Sequence, residues 1–153
     1  MVKTLTITKL GPSRKITVSV VDYGNYQRLI HAVRYAVFVC EQSIPSDLEA
    51  DGYDPVSRHV LALKEGHAIA TGRLTPDGRI GRVAVTQSLR QQGVGRCIME
   101  KLLQVARHQS HREVVLAAQH HAVSFYEKLG FQQEGQAFQN LGIEHIMMRK
   151  ELS

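Results

Sequence analysis

The 153-residue sequence lacks any apolar run that approaches the roughly 18 residues of a membrane-spanning helix. It also lacks the continuous apolar segment of a secretory signal, because its first eight residues alternate between apolar and polar types. Repeats, low-complexity tracts and long linkers are missing as well. The average composition, 43% hydrophobic and 22% charged, excludes fibrous and disordered classes. The absences predict a soluble, cytoplasmic protein that forms one domain over residues 1–153.

Cysteine is scarce, and neither Cys40 nor Cys97 belongs to a CxxC pair. A zinc site or a dithiol redox motif is therefore not expected. Both residues stand among apolar neighbours in helical patterns, which predicts buried, unreactive thiols. The histidines show no HExxH-like spacing, and the adjacent His120 and His121 do not normally converge on one ion, so no metal is expected.

Positive charge exceeds negative charge, with 19 lysines and arginines against 14 acids and a formal net charge of +5. This balance favours an anionic partner, either a nucleic acid or a phosphate-bearing small molecule. Residues 41–54 run against it, because they contain five acids and no lysine or arginine. The segment indicates either a second surface with its own role or a solvated loop that aids solubility.

Hydrophobic periodicity predicts alternating strands and helices. Strand patterns occur at 16–20, 59–63, 68–74, 80–85, 114–118, 131–138 and 143–148. One helix is predicted to begin near Asn25, a competent N-cap, a longer one at the glycines of 93–95, and a shorter one over 122–129. The alternation near the start also allows an extra N-terminal hairpin over residues 3–20.

The predicted fold class is α/β (α+β), with a mixed, mostly antiparallel sheet flanked by helices. Short connections within 59–85 favour antiparallel neighbours there. A strand–glycine loop–helix–strand unit occupies the centre of the chain. Residues 41–54 are predicted to form a loop with one helical turn, because Pro45 and Gly52 interrupt regular structure.

The connection between the strand at 80–85 and the long helix is rich in glycine and arginine. It contains Arg90, Gln91, Gln92, Gly93, Val94, Gly95 and Arg96. Glycine permits close ligand approach, and the unpaired N–H groups of a helix start favour a pyrophosphate. Arginines at both ends would add charged donors. On this fragment alone, a flexible turn is an equal reading.

Other nucleotide-binding motifs do not match this loop. No GxxxxGK followed by serine or threonine occurs in the sequence, which excludes a P-loop. A dinucleotide fingerprint would need a third glycine where the chain has Ile98.

The order of the motifs is more specific than any one of them. RVAV at 82–85, RxxGxG at 90–95, a long helix, a strand and FYEKLGF at 125–131 follow one another. This combination resembles the GNAT N-acetyltransferase superfamily, from about residue 16 to the C-terminus. Residues 34–42 also resemble the first helix of a bacterial subgroup, whereas the N-terminal hairpin is not part of the common core.

The resemblance implies transfer of an acetyl group from acetyl-CoA to a primary amine, by direct attack in a ternary complex. It implies that the pantetheine arm binds like an added strand beside Val83, Ala84 and Val85, and that the pyrophosphate binds residues 90–96. A backbone N–H of that strand would polarise the thioester carbonyl. Many members carry an asparagine where this chain has Gln119, which is expected to replace it.

Tyr126 matches the tyrosine that lies near the cofactor sulfur in many members, so it is predicted to protonate the leaving thiolate. Alternatively, Tyr126 is a core residue whose hydroxyl forms a hydrogen bond elsewhere. The base that deprotonates the amine is less defined. The candidates are Glu41, Glu49, Asp51 and His59, and water can also carry the proton.

The acidic segment follows a helix that borders the acceptor cleft in the superfamily. Glu41, Glu49 and Asp51 are therefore predicted to line the acceptor side and to attract a cationic small-molecule or peptide amine. A solvated loop is the equal alternative.

Two other function classes stay open. One is a non-catalytic acyl-CoA-binding regulatory module. The other is a nucleic-acid binder, which no RNP-like aromatic motif or zinc-finger spacing supports. Neither a nucleic acid nor a membrane is expected as a partner, and a homodimer is the default assembly.

Overall fold

The computed structural model describes residues 4–7 and 15–153. The strands are β1 (Thr4–Ile7), β2 (Ile16–Val21), β3 (Arg58–Lys64), β4 (His67–Leu74), β5 (Ile80–Val85), β6 (Glu113–Gln119), β7 (Gln132–Asn140) and β8 (Ile143–Glu151). The helices are α1 (Tyr23–Arg34), α2 (Ser46–Glu49), α3 (Val94–His108) and α4 (Val123–Lys128). A π-helical segment, Tyr35–Glu41, continues α1, and short 3-10 turns cover Asp54–Val56, Gln87–Leu89 and His120–Ala122.

These strands form two antiparallel sheets, ordered β1-β2-β3-β4-β5 and β6-β8-β7. The predicted class is confirmed, including mostly antiparallel strands, flanking helices and a central β5–glycine loop–α3–β6 unit. The strands are divided between two sheets instead of forming one. β1 pairs with β2, while residues 8–14, which would form the turn of the predicted N-terminal hairpin, lie outside the described residues. No helix in the described part of the chain is long and apolar enough to cross a membrane.

The two faces of the larger sheet are covered by different helices. Along β3, Val60 and Ala62 belong to the core that α3 completes, whereas Leu61 packs with Ile30 of α1. Alternate residues of a strand point to opposite faces, so α1 and α3 lie on opposite sides of the sheet. Gly72 of β4 allows α3 to approach closely, since a Cβ there would lie 2.8 Å from Leu102.

β5 and β6 run side by side at one end only. Arg79 and Val115 form an isolated parallel bridge, and the N–H of Val115 donates to Gly78 at 3.1 Å. Beyond that point the strands belong to different sheets. The divergence opens a groove beside β5, between the strand that precedes the glycine loop and the strand that follows α3.

A β-bulge interrupts β5 beside this groove. Thr71 pairs with Ala84 and Arg73 with Gly81, so Gly72 opposes two residues of β5, one of which is Arg82. Arg82 has a φ of +50°, in the left-handed region. Bulges of this kind redirect side chains and leave the extra residue unpaired.

Two local predictions are wrong. The first helix begins at Tyr23, because the carboxylate of Asp22 accepts the N–H of Asn25 at 3.0 Å and caps the helix three residues earlier than expected. Cys40 is exposed and Cys97 is half-buried. The change from α- to π-helical geometry at Tyr35 rotates later residues relative to the apolar stripe, which carries Cys40 into solvent.

Candidate active site

A cavity of about 1110 Å³ lies where β5 and β6 separate. Its lining includes Val83 and Val85 of β5, Ala117 of β6, Gly95 of α3 and Tyr126 of α4. The cavity also reaches the π-helical segment and residues of the 41–54 segment. Three regions that the sequence singles out therefore meet at one opening: the strand before the loop, the loop itself and the FYEKLGF helix.

The wall formed by β5 is a sheet edge. One edge of β5 pairs with β4, as in the contacts of Ala84 with Thr71 and of Val85 with Ala70. β5 is the terminal strand of its sheet, so its other edge is not paired within that sheet. Unpaired N–H and C=O groups along an edge can bind an extended ligand by strand addition.

The glycine loop forms the end of the cavity next to the start of α3. Gln91 and Gly93 have φ angles of +62° and +86°, and Gly93 occupies the N-cap position. The first N–H groups of a helix have no partner within it, so they are available to an anion. Val94 packs into the core and the amide of Gln92 donates to the Ser88 carbonyl, so these two side chains turn away.

The two arginines of the loop already have partners. Arg90 donates to both carboxylate oxygens of Glu41, at 2.9 and 2.7 Å, and to the Val85 carbonyl at 2.9 Å. Arg96 pairs with Glu100 on the exposed side of α3. Glu41 therefore lies against the glycine loop, and the Arg90 side chain ties that loop to the π-helical segment.

Gln119 makes a second link to the same segment. Its side-chain amide exchanges two hydrogen bonds with that of Gln42, at 2.9 and 3.1 Å. Gln119 ends β6 and Gln42 follows the π-helical segment. Both glutamines line the cavity, so this contact bridges its two walls.

Tyr126 is buried to 9% exposure on the wall of the cavity. Its ring packs edge-on against Phe125 and Phe131, with centroid distances of 5.0 and 5.9 Å. Burial raises the pKa of the Tyr126 phenol to about 12. The hydroxyl therefore keeps its proton at neutral pH and can donate it.

The acidic segment is held by three arginines that the sequence analysis does not single out. Arg34 is 1% exposed and donates to Glu49 and, at 2.8 Å, to Asp54. Arg73 donates to Asp54 at 2.8 Å and to both oxygens of Asp51. This set of ion pairs holds Glu49, Asp51 and Asp54 against the sheet, while most other residues of the segment are exposed.

Arg82 completes the set from the bulge in β5. It donates to the backbone carbonyl of Glu49 at 3.0 and 2.8 Å and to Asp51 at 3.1 Å. We refer to Arg34, Glu49, Asp51, Asp54, Arg73 and Arg82 as the arginine–carboxylate cluster. Its three positive and three negative charges balance, so the segment does not present five free acids to the cavity.

The carboxylates of the cluster differ in what they can do. Hydrogen bonds from Arg73 hold the pKa of Asp51 well below its usual range, although burial opposes this. Burial raises the pKa of Asp54, but hydrogen bonds from Arg34 and Arg73 outweigh that effect and lower it. Glu49 lines the cavity, and its ion pairs with Arg34 and Arg82 both involve Oε1. Oε2 is therefore the oxygen that the ion pairs leave for a ligand.

His59 lies below the cluster, and it is not among the residues that line the cavity. It is 1% exposed, stacks on Tyr23 with a centroid distance of 4.8 Å, and bonds the Asp54 carbonyl through Nε2 at 2.8 Å. Burial lowers the pKa of His59, partly offset by Asp54. This position supports the fold and gives the imidazole no access to an acceptor in the cavity.

The lowered pKa of His59 predicts an acid-sensitive fold. Its folded-state pKa lies below the unfolded value of about 6.5, so neutral His59 contributes stability above that pH and loses it as pH falls. Replacing His59 with Gln should flatten the dependence of Tm on pH between about 7 and 5. Thermal unfolding measured across that range checks this. The exposed His67→Gln variant is the control, and an unchanged slope in His59→Gln would contradict the assignment.

Local signals for the cluster exist, although no periodicity reveals it. Arg34 falls beside Ile30 and Val33 on the buried stripe of α1. Arg73 stands in the mostly apolar strand β4, where it is 4% exposed. A cation at a buried position requires an acid, and residues 41–54 are rich in acids that lack local cations.

Known proteins resemble this chain in sequence and in fold. The model of the acetyltransferase (GNAT) domain matches residues 23–152. Protein ElaA of Escherichia coli K12 is 34% identical over 128 residues, which cover 78% of this chain and 84% of that protein. The crystal structure of E. coli ElaA superposes with a TM-score of 0.79 at 31% identity, over 88% of this chain and 99% of that one.

Two further structures extend the comparison. An acyl-CoA N-acyltransferase from Pseudomonas aeruginosa has a TM-score of 0.78 and 31% identity, over 88% of this chain and 99% of that one. An aminoglycoside 6'-N-acetyltransferase complexed with coenzyme A shares the fold, with a TM-score of 0.72 at 16% identity over 88% of this chain and 96% of that one.

Proposed function

Because this chain belongs to the GNAT acetyltransferase family, we propose that it transfers an acetyl group from acetyl-CoA to a primary amine by direct attack in a ternary complex. The observation that carries the proposal is the cavity where the open edge of β5, the glycine loop and Tyr126 meet. The family and the acyl-CoA N-acyltransferase among its structural neighbours support the donor class.

Acetyl-CoA would bind along β5 as an added strand. Its pantetheine arm would pair with the backbone of Val83, Ala84 and Val85, and its pyrophosphate would bind the N–H groups at the start of α3. A backbone N–H beside the bulge would donate to the thioester oxygen, where negative charge develops during attack. The Arg90 side chain would either leave Glu41 to bind a phosphate or keep the loop in its present conformation. Gln119 would break its hydrogen bonds with Gln42 and bind the cofactor instead.

The reaction requires three proton transfers at the reacting groups. The acceptor ammonium loses a proton, and its nitrogen then attacks the thioester carbonyl carbon. The C–S bond breaks, and the thiolate takes a proton from the Tyr126 hydroxyl. The amide nitrogen loses its remaining extra proton to a base or to water, and the Tyr126 phenolate takes a proton back from solvent.

Glu49 is the best placed of the proposed bases. Asp51 is a weak base because Arg73 engages both of its oxygens. Glu41 is bonded to Arg90 at the loop, and His59 is enclosed behind the cluster. Glu49 combines a position on the cavity wall with an oxygen, Oε2, outside its ion pairs.

A turnover screen tests the proposal directly. Purified protein is incubated with acetyl-CoA and a panel of primary amines, and the released thiol is measured. Amine-dependent thiol release is expected. Tight acetyl-CoA binding without release from any amine class would instead support the non-catalytic acyl-CoA-binding module.

Gly95→Asp should greatly weaken acetyl-CoA binding while the protein stays folded. The new side chain would project beside Val85 and Phe125 at the pyrophosphate end, where a carboxylate repels phosphate. Isothermal calorimetry should show a loss of at least about tenfold in affinity. Gly95→Ala is the matched control, because its Cβ would make ordinary 3.5 Å contacts. Equal affinities of Gly95→Asp and wild type would refute the phosphate site.

Glu49→Gln should lower kcat by about 10²-fold at neutral pH. Glutamine keeps the shape and an oxygen for Arg34 but cannot take a proton. The rate should recover as pH rises, because more of the acceptor is then already neutral; kcat against pH checks this. Asp51→Asn should have a smaller effect, and the exposed Glu134→Gln should have none. If the dependence of kcat on pH in Glu49→Gln is parallel to that of the wild type, water and not Glu49 takes the proton.

A further inference from the structure

The acceptor end of the cavity is electrically balanced, although the sequence there looks acidic. Arg73 and Tyr53 engage the oxygens of Asp51, and Asp54 is shared by Arg34 and Arg73. This leaves Glu49 Oε2 as the oxygen of the cluster best placed to receive one ammonium group. A surface built for polycations would instead present several unpaired carboxylates.

One wall of the cavity is apolar. Val37, Phe38 and Ile44 pack with Ala84 on the face of β5 that is turned away from α3, and Ile143 packs against the same cluster. Val37, Phe38, Ile44 and Ala84 all line the cavity. An apolar wall of this kind suits the hydrocarbon part of a ligand.

Two large hydrophobic side chains extend this apolar wall to the rim. Tyr53 is 52% exposed and Leu141 is 43% exposed, and both line the cavity. The backbone of Tyr53 is fixed on both sides, since its N–H donates to Asp51 at 3.1 Å and its carbonyl accepts the Ser57 hydroxyl at 2.7 Å. Its backbone is therefore held at the edge of the cavity.

Leu141 is unfavourable at its position, because its backbone has a positive φ and its side chain is exposed. It lies with Gly142 in the two-residue turn between β7 and β8, and both have positive φ, +53° and +77°. Turns of this type prefer asparagine or aspartate before glycine, because a bulky side chain at positive φ is strained. A strained and exposed leucine on a cavity rim is a feature that ligand contact would explain.

We infer, on the basis of the proposed acetyltransferase function, that the acceptor is a primary amine on an apolar arm, with its ammonium on Glu49 and its arm against Tyr53 and Leu141. Asp77 and Arg79 also line the cavity, at the turn between β4 and β5. A second ammonium or a carboxylate on the acceptor would instead pair with charged cavity groups such as these, so the chemistry of the far end of the acceptor distinguishes the alternatives.

Three amines with six carbons each test the inference: hexylamine, 1,6-diaminohexane and 6-aminohexanoate. They differ only at the end remote from the reacting nitrogen. With saturating acetyl-CoA, kcat/KM for hexylamine should exceed that for either of the others at least about tenfold, because a charged end cannot be desolvated against the rim without cost. A preference for the diamine or for the aminohexanoate would overturn the inference while leaving the acetyltransferase function intact.

Variants at the rim provide a second readout. Tyr53→Ser and Leu141→Asn should each raise the KM for hexylamine severalfold and reduce its advantage over the diamine. Tyr35→Ser is the matched control, because Tyr35 is 55% exposed outside the cavity. An unchanged preference in both rim variants would overturn the inference. No thiol release from any amine, with acetyl-CoA bound, would overturn the proposed function and the inference with it.

Discussion

Replacing Tyr126 with phenylalanine is expected to lower kcat by roughly 10²-fold or more. The substitution keeps the ring that packs between Phe125 and Phe131 and removes only the hydroxyl. Burial holds the pKa of Tyr126 at about 12, so the wild-type group is protonated throughout the pH range of an assay. Its loss should therefore affect the departure of the thiolate at every neutral pH.

The binding of acetyl-CoA is the companion measurement. Because the hydroxyl is proposed to act on the leaving sulfur, acetyl-CoA affinity should change little while kcat and kcat/KM fall together. Tyr35→Phe removes the same hydroxyl from an exposed site outside the cavity and should leave kcat unchanged. A Tyr126→Phe enzyme with wild-type kcat, when chemistry limits the rate, would assign Tyr126 to core packing alone.

Replacing Arg34 with methionine is expected to destabilise the protein by about 3–5 kcal/mol. Methionine fills much of the same volume but leaves Glu49 and Asp54 without their shared guanidinium. Both acids are buried, at 8% and 4% exposure, so removing one partner leaves negative charge in a poorly solvated site. The penalty arises from those uncompensated charges more than from the lost pair itself.

Urea unfolding measures this loss. Arg96→Met breaks an exposed pair with Glu100 and should change the free energy of unfolding by less than about 1 kcal/mol. A loss below about 1 kcal/mol in Arg34→Met would mean that Arg73 and Arg82 together can hold the acids without Arg34. If Arg34→Met does not fold, Arg34→Lys keeps the charge, loses the fork geometry and should lie between the two.

Short-range sequence patterns predict most of the helices and strands, because residues close in sequence determine where these elements begin and end. The glycine loop precedes α3, and the Pro76–Gly78 turn precedes β5, so propensity and periodicity agree with the tertiary structure there. The π-helical segment and the bulge at Arg82 do not follow from periodicity. Each breaks a regular repeat to satisfy packing between distant segments, which a local pattern does not record.

Part of the candidate site can likewise be predicted from local sequence, and part cannot. Gly95 and Tyr126 belong to contiguous motifs, so the sequence can single them out and the fold brings them to one cavity. The roles assigned to them stay predictions. The pairing of Arg34 with Glu49, or of Arg90 with Glu41, joins residues 15 and 49 positions apart. A single sequence shows that acids are present in 41–54 but not which cations neutralise them.

The strand order of the smaller sheet has a consequence for synthesis of the chain. β8 lies between β6 and β7, so β6 has no partner in its own sheet until residues 143–151 have left the ribosome. The larger sheet is built from strands that all precede residue 86, joined to their sequence neighbours, and can pair while the chain is still growing. The wall of the groove that β6 provides is therefore completed after the larger sheet, when β8 is inserted beside β6.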